Sequence, residues 1–209
     1  MNARGAMLAR IRGALGDGAP VPLVSRDYRL RADLEPVSVL ELFAERVGEY
    51  RATVHQTSAD GLPSVVAAIL AESGATRVVV PMGLPADWLA ALATGLTVLT
   101  DGGGMSADEL DGVDAVITGS AVAIAETGTI VLDAGDDQGR RALTLVPDHH
   151  ICVVTADRIV GSVPEGLALV RPTRPVTMIS GPSATSDIEL DRVEGVHGPR
   201  TLDVIIVST

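Results

Sequence analysis

Short apolar runs alternate with helical segments along the first half of the chain, and this order constrains the fold more than any other feature. The valine-rich run Arg77–Pro81 predicts a strand, as does the apolar run at residues 97–100. Apolar residues at helical spacing predict helices at residues 38–50 and 64–73, and residues 85–93 begin with the proline typical of a helix start. This β-α-β-α-β order predicts an α/β fold, with a mostly parallel sheet and helices on both faces.

The second half of the chain is predicted to add further strands. Residues 123–135, AIAETGTIVLDAG, indicate a strand, a turn and a second strand, and residues 163–170 indicate a short helix. Other strands are predicted at residues 51–55, 115–118, 143–146, 151–155, 176–180 and 202–207. The stretch DGGGM at residues 101–105 predicts a flexible turn, because its spacing matches neither the dinucleotide-binding GxGxxG motif nor a P-loop.

The N-terminal region differs from the rest of the chain. Residues 1–16 predict an exposed amphipathic helix, although their arginines and lack of acidic residues are also typical of a transit peptide. The apolar stripe of this helix consists of Met7, Leu8, Ile11 and Leu15. Residues 17–37 are rich in proline, glycine and charge, and they predict an arm. We therefore divide the chain into an N-terminal helix and arm (residues 1–37) and a single α/β domain (residues 38–209), and we expect the arm to contact a partner subunit in a homo-oligomer.

The composition limits the classes of function. A net charge of −11 argues against general nucleic-acid binding, which needs a concentrated basic surface. The single cysteine, Cys152, cannot form an intramolecular disulfide, which is consistent with a cytoplasmic protein, and it cannot hold a cluster that needs four cysteines. No segment is long and apolar enough to span a bilayer. Only 2% of the residues are aromatic, so valine, isoleucine, leucine and alanine must fill the core, as suits a buried parallel sheet.

Glu126 stands immediately before a glycine turn and between two apolar runs. A partly buried carboxylate at such a place is suited to act as a base or nucleophile, so Glu126 is a candidate catalytic residue. Thr127 and Gly128 of the same turn are candidate substrate-binding residues. The alternative is a turn carboxylate that accepts hydrogen bonds from nearby backbone amides or from an arginine.

A second candidate site is the segment SGPSATSDIE at residues 180–189. In an open α/β sheet, ligands bind outside the carboxyl ends of the strands, and this segment follows a predicted strand. Backbone N–H groups and hydroxyls there suit an anion, and carboxylates suit a hydroxylated substrate or a cation. The candidate binding residues are Ser180, Gly181, Ser183, Asp187 and Glu189. The alternative is a helix-capping segment, which the composition favours.

A third candidate site is the turn VHGPR at residues 196–200. His197 is a candidate general acid–base residue, because the reference pKa of histidine lies near neutrality. Arg200 can grip a carboxylate or phosphate with two parallel hydrogen bonds, and Gly198 lies between the two. The alternative is a tight turn before the last strand, with Arg200 in a structural salt bridge.

Two adjacent histidines follow an aspartate in the run PDHHI, which raises the question of a metal site. Adjacent residues of a strand point to opposite faces, so His149 and His150 cannot share a metal ion, and a single histidine beside Asp148 is an incomplete site. We therefore predict no cofactor, and no metal unless Glu126, His197 or Asp187 converges on this place. Cys152, in the apolar run that follows, is interpreted as a small buried hydrophobic residue.

Four strings taken together are more specific than any one of them. AETGTIVL, LVPDHHICVV, SGPSATSDIE and GVHGPRTLDVII occur in this order across residues 125–206, and the chain opens with LARIRGALG. This series resembles the lactate-utilisation protein C family, whose conserved unit is called the LUD domain. Members of that family commonly carry arginine at the position of Ala184. That cation is missing here, which weakens anion binding by the loop unless Arg200, Arg140 or Arg141 replaces it.

The resemblance implies a fold similar to that of the NagB, RpiA and CoA-transferase superfamily. It also implies a place in a three-component system that oxidises L-lactate to pyruvate, in which the two partner subunits carry iron–sulfur clusters. The third component is expected to bind a small carboxylate or to dock those partners. In the related CoA-transferases a glutamate near a glycine turn is the nucleophile, so the resemblance leaves two alternatives open: an acyl- or CoA-transferase that uses Glu126, and a small-ligand-binding module without chemistry.

Overall fold

The structure is a computed structural model that describes residues 3–16, 23–182, 184–185, 193–194 and 198–208, with only the backbone described at 184–185 and 193–194. The helices α1 to α6, in chain order, are Ala3–Leu15, Pro36–Glu49, Leu62–Ser73, Ala107–Asp111, Arg141–Leu145 and Val163–Leu169. The strands β1 to β12 are Thr53–Ser58, Arg77–Pro81, Thr97–Asp101, Ala115–Thr118, Val122–Ile124, Thr129–Leu132, His149–Thr155, Ile159–Val160, Thr177–Ile179, Ala184–Thr185, Val193–Glu194 and Thr201–Ser208.

Six strands form a parallel sheet in the order β1-β12-β7-β4-β2-β3. The last strand of the chain, β12, lies second from one edge, where Val204 is opposite Val54 of β1 and Cys152 of β7. The central strands are almost entirely buried, which explains their near-continuous apolar sequences. The predicted α/β fold with a mostly parallel sheet is confirmed.

Different elements cover the two faces of this sheet, because side chains alternate along each strand. In β12, Ile205 belongs to a buried cluster with Val66 of α3. The neighbouring Val204 points the other way and belongs to a cluster with Phe43 of α2. Each such side chain contributes roughly 1.5–3 kcal/mol when it is removed from water, so burial on both sides holds the helices to the sheet.

A second, smaller sheet has the order β8-β5-β6-β9 and lies on the α2 side of the first. Its β5 and β6 form the antiparallel hairpin predicted at residues 123–135. The turn of that hairpin is a short 3-10 helix, Ala125–Thr127, which ends at Gly128 with φ of +57°. Phe43 of α2 and Ile130 of β6 belong to one buried cluster with Val204 of β12, so α2 and both sheets share this core. The sequence did not predict this separate sheet.

One predicted strand is wrong. Residues 143–146 lie mostly in α5, where Leu143 is completely buried. Leu143 packs in one cluster with Val79 and Val116, and Val146, three residues further on, packs against the same cluster. A spacing of three brings both side chains to one side of a helix.

A loop at residues 133–140 closes the edge of the main sheet at the carboxyl ends of β2 and β4. The Gly83 N–H donates to the Asp136 carbonyl at 3.1 Å, and the Gly119 N–H donates to the Asp137 carbonyl at 2.9 Å. A Cβ atom at Gly119 would collide with the carboxylate of Asp137. The loop is therefore fitted directly onto the ends of both strands.

The N-terminal helix is more exposed than the rest of the described chain. None of the residues of α1 is buried, whereas α2 and α3 each bury an apolar side. Within the described ranges, no helix combines the length and apolar character that crossing a membrane requires.

Candidate functional site

A pocket of about 260 Å³ lies between the two sheets, beside the amino-terminal ends of β7 and β12. Helix α5 and strand β9 form its other walls. Its polar side chains are those of Thr144, His150, Thr177 and Ser180. Its apolar side chains include those of Leu145, Met178, Ile179 and Leu202. The pocket therefore combines hydroxyl groups and an imidazole with an apolar wall, as small-molecule sites do.

His150 is the buried imidazole in the wall of this pocket. Burial, and to a smaller extent the nearby His149, lower the pKa of His150 to about 3. Its Nε2 atom lies 2.8 Å from Oγ1 of Thr118, which holds the plane of the ring. Because the ring is neutral at pH 7, it offers hydrogen bonding to the pocket without a charge.

A series of three hydroxyls connects the β5–β6 hairpin to the pocket. The Oγ1 atoms of Thr127 and Thr129 are 2.8 Å apart, and Oγ1 of Thr129 is 2.8 Å from Oγ of Ser180. Thr129 is buried, and Ser180 follows β9 at the pocket wall. These hydrogen bonds fix the position of the Ser180 hydroxyl.

Gly181 shapes the chain where it leaves Ser180. Its φ is +82°, in the left-handed region that residues with a Cβ rarely adopt. A Cβ atom there would lie 2.6 Å from both the Cβ and the carbonyl oxygen of Tyr50, at the end of α2. The sequence needs glycine here for both reasons, and the close approach sets the pocket wall against α2.

The predicted site residues are divided by the structure. Ser180, Gly181 and Gly198 line the same pocket, and Thr127 is linked to it through Thr129. Ser183, Asp187, Glu189 and His197 lie outside the described residues. The segment that begins at Ser180 follows β9 of the smaller sheet, so its predicted position at the carboxyl edge of the parallel sheet is wrong.

Glu126 lies at a different place, between the N-terminal arm and α6. Its Oε2 atom is 2.5 Å from Nη2 of Arg29, and its Oε1 atom accepts the backbone N–H of Val163 at 2.9 Å. This geometry matches the alternative of a carboxylate bound to an arginine and a backbone amide. The neighbouring Gly128 packs against α2, because a Cβ there would lie 2.9 Å from Cβ of Arg46.

Arg200 lies beside a second cleft of about 420 Å³, at the amino-terminal ends of β4, β7 and β12. Its Nη1 is 3.5 Å from Oδ2 of Asp148, and both side chains are largely exposed. In the wall of this cleft, Nε2 of His149 lies 2.6 Å from Oδ2 of Asp203, whose Oδ1 is 2.6 Å from Nε2 of His55. Burial alone raises the pKa of Asp203, but the hydrogen bonds from both histidines hold that pKa below its ordinary value.

Comparison with known proteins places the chain in a family. The family model described as LUD domain matches residues 40–207. The chain belongs to the LUD-domain family. The lactate utilization protein C of Deinococcus radiodurans is 50% identical over 206 residues, which cover 97% of this chain and 94% of that protein.

More distant relatives of this LUD-domain protein are longer. The lactate utilization protein C of Bacillus subtilis is 38% identical over 100 residues, which cover 44% of this chain and only 41% of that protein. A crystal structure of a DUF162 family protein from Deinococcus radiodurans has a TM-score of 0.69 and 46% identity, covering 83% of this chain and 99% of that one. The fold described above is therefore shared with a solved relative.

The LUD domain contains both the pocket and the Glu126 turn, whereas α1 and the arm precede the matched residues. Cys152 is completely buried in β7, where burial raises the pKa of its thiol to about 12 despite a hydrogen bond from Thr118. The interpretation of Cys152 as a small buried residue is confirmed. Among the described residues, no group of three or more histidine, cysteine, aspartate or glutamate side chains is arranged to hold a metal ion.

Sequence reasoning missed several pocket residues. His150 was considered only as a metal ligand, and Thr144 and Thr177 were not singled out. The alternation of β7 already carried the signal for His150, because it sends His149 and His150 to opposite faces, each with its own polar partner. No local pattern marks Thr144, because its position depends on α5 packing beside β9.

Proposed function

We propose that this LUD-domain protein is the non-iron–sulfur component of a system that oxidises L-lactate to pyruvate, and that it binds a small carboxylate in the pocket beside His150. The pocket is the observation that carries this proposal. Three residues chosen from the sequence as ligand contacts, Ser180, Gly181 and Gly198, line it. The names of the relatives from Deinococcus radiodurans and Bacillus subtilis support the choice of lactate.

The chemistry of the walls suits a short hydroxy or keto acid. The hydroxyl of Ser180 and the neutral ring of His150 can hydrogen bond its oxygens, and Met178 and Leu202 can contact its methyl group. Arg141 donates from Nε to Oγ1 of Thr177, a pocket residue, and from Nη2 to the carbonyl of Val176, each at 3.2 Å. A guanidinium fixed at this place favours an anion without being buried with it.

The acyl- or CoA-transferase alternative needs Glu126 to be available for attack on a thioester. Both oxygens of its carboxylate accept hydrogen bonds, one from Arg29 and one from Val163. Glu126 also does not line the pocket that Ser180 and Gly198 share. This geometry supports binding, not acyl transfer.

Thermal unfolding in the presence of lactate, pyruvate or acetate tests the binding proposal. A ligand at ten times its dissociation constant is expected to stabilise the folded protein by about 1.4 kcal/mol. Ser180→Ala should reduce this effect. Ser73→Ala is the matched control, because Ser73 lines the second cleft and not the pocket. A failure of all three acids to shift the transition, or an equal loss in both variants, would overturn the proposal.

Docking of cluster-carrying partners is tested separately. The tagged chain is captured from cells that express the whole lactate system. Two further proteins are expected to co-purify with it, and the iron content of the eluate should rise in proportion to their amount. The isolated chain should not oxidise lactate with a dye as electron acceptor. Turnover by the isolated chain, or an eluate without iron, would remove the proposed role as a subunit.

A further inference from the structure

Helix α1 presents an apolar stripe to solvent. Met7, Ile11 and Leu15 are spaced by four residues, so they lie on one side of the helix, and 64%, 49% and 69% of their respective areas are exposed. Leu8, next to this stripe, is also exposed. A row of exposed apolar side chains of this kind can pack against another protein surface.

The same helix is basic, although the chain as a whole is strongly acidic. It carries Arg4, Arg10 and Arg12 and no acidic residue, whereas the whole chain has a net charge of −11. A basic helix of this composition is attracted to an acidic surface of the same protein.

A groove of about 810 Å³ supplies such a surface between the arm, α2 and β8. Its apolar lining includes Leu34, Val37, Leu40, Ile159 and Val160. The acidic residues Glu41, Asp157 and Glu165 also line it. Apolar and acidic residues lining one groove complement the apolar stripe and the arginines of α1.

The arm is fastened to the edge of this groove. The Ala32 N–H donates to the carboxylate of Glu165 at 3.1 Å, and Arg29 pairs with Glu126 nearby. Gly161, which lines the groove, leaves room for Ala32, because a Cβ at Gly161 would collide with the Cβ of Ala32. The arm therefore leaves the domain at a defined place beside the groove.

We propose that α1 of one chain docks in this groove of a second copy, and that the two copies exchange their N-terminal helices. Within one chain the stripe of α1 is exposed and the groove is open, although their charges and apolar surfaces match. If each chain places its α1 in the groove of the other, both apolar stripes and both grooves are covered. The two chains are then related by twofold symmetry, which is the usual symmetry of homodimers. The dimer does not depend on the proposed binding of a carboxylate.

Sedimentation of the full chain over a range of concentrations tests the dimer. Wild type is expected to dimerise, and Ile11→Asp is expected to weaken the dimer by on the order of 10- to 100-fold, because it places a charge in the centre of the interface. Ala6→Asp is the matched control on the opposite side of α1. On the groove side, Val37→Asp should weaken the dimer, whereas Met82→Asp, at a residue with nearly the same exposure of 72%, should not. A monomeric wild type, or equal effects of test and control variants, would overturn the proposal.

A cross-linking experiment distinguishes a second copy from the chain's own groove. Ile11→Cys and Val37→Cys are made in separate chains, which are mixed and treated with a short bismaleimide. Cys152 is buried, so the introduced thiols are the ones that react. Docking between copies gives a cross-linked dimer that contains one chain of each kind. A chain with both substitutions that cross-links only within itself would disprove the exchange.

Discussion

Arg29 and Glu126 are 97 residues apart in the sequence, and Nη2 of the first lies 2.5 Å from Oε2 of the second. Glu126 also accepts the N–H of Val163, at the first residue of α6. One carboxylate therefore joins the arm, the β5–β6 hairpin and the start of a helix. Its place just before a glycine turn, which suggests catalysis in the sequence, has a structural explanation.

The two bonds of Glu126 can be separated by substitution. Glu126→Gln keeps an acceptor for Val163 but loses the charge that pairs with the exposed Arg29, so we expect a loss of about 0.5 kcal/mol or less in unfolding free energy. Glu126→Ala also removes the acceptor and should cost about 1–2 kcal/mol. Urea unfolding measures both, and hydrogen exchange at Val163 should quicken only in the alanine variant. Equal destabilisation by glutamine and alanine would contradict this assignment.

The buried His150 predicts a dependence of stability on pH. Its pKa is about 3 in the folded protein, so the unfolded chain takes up a proton from about pH 6.5 downward while the folded chain does not. Stability contributed by the neutral ring is therefore present above pH 6.5 and is lost at about 1.4 kcal/mol per pH unit on acidification towards pH 3.

Unfolding free energies of wild type and His150→Gln, measured from pH 7 to 4.5, test this prediction. The variant should lose the part of the slope that His150 contributes between pH 6.5 and 4.5. Asp203 titrates below its ordinary carboxylate range, so its stabilising contribution is lost only at more acidic pH. Identical slopes in wild type and variant would show that His150 is not buried as a neutral ring.

Substitution of Gly181 by alanine is expected to lower the unfolding free energy by more than backbone strain alone would. Gly181→Ala introduces both an unfavourable φ of +82° and a contact of 2.6 Å with Tyr50. Gly103→Ala is a matched control, because Gly103 has a φ of +97° and open space around it. We expect about 1–2 kcal/mol for the control and a larger loss for Gly181→Ala, measured by urea unfolding. If the two losses agree, the close approach of Gly181 to α2 is not rigid.

Cys152 is expected to resist alkylation in the native protein. Its pKa of about 12 leaves little thiolate at pH 8, and the side chain is completely buried. Iodoacetamide should therefore modify the native chain slowly and the chain unfolded in guanidinium rapidly, as mass spectrometry can follow. Rapid modification of the native chain would indicate that β7 opens locally.

Much of the main sheet could be predicted, because its strands carry their own signal. Arg77–Pro81 matches exactly, and the opposite directions of His149 and His150 follow from the alternation of a strand. The error at residues 143–146 arose because a run of four residues, three of them apolar, is too short to separate a helix from a strand. Which sheet takes up the strand Thr177–Ile179 depends on its pairing with β6, far away in the sequence.

The candidate site could also be predicted only in part. Ser180 and Gly198 stand out in the sequence as residues of turns, and they do meet at one pocket. Their common neighbour Thr144 lies in a helix that the sequence did not reveal. The side chain of Glu126 forms an ion pair with Arg29 of the arm. No sequence pattern near residue 126 predicts this distant partner.

The loop that caps β2 and β4 decides from which direction a small molecule can approach the main sheet. Gly83 and Gly119 already donate their amides to Asp136 and Asp137, so those two amides are not available to a phosphate or carboxylate. A ligand that binds at that edge of the sheet would first have to displace the loop. A ligand that enters at the opposite edge, where His150 lines the pocket between the two sheets, does not have to displace this loop.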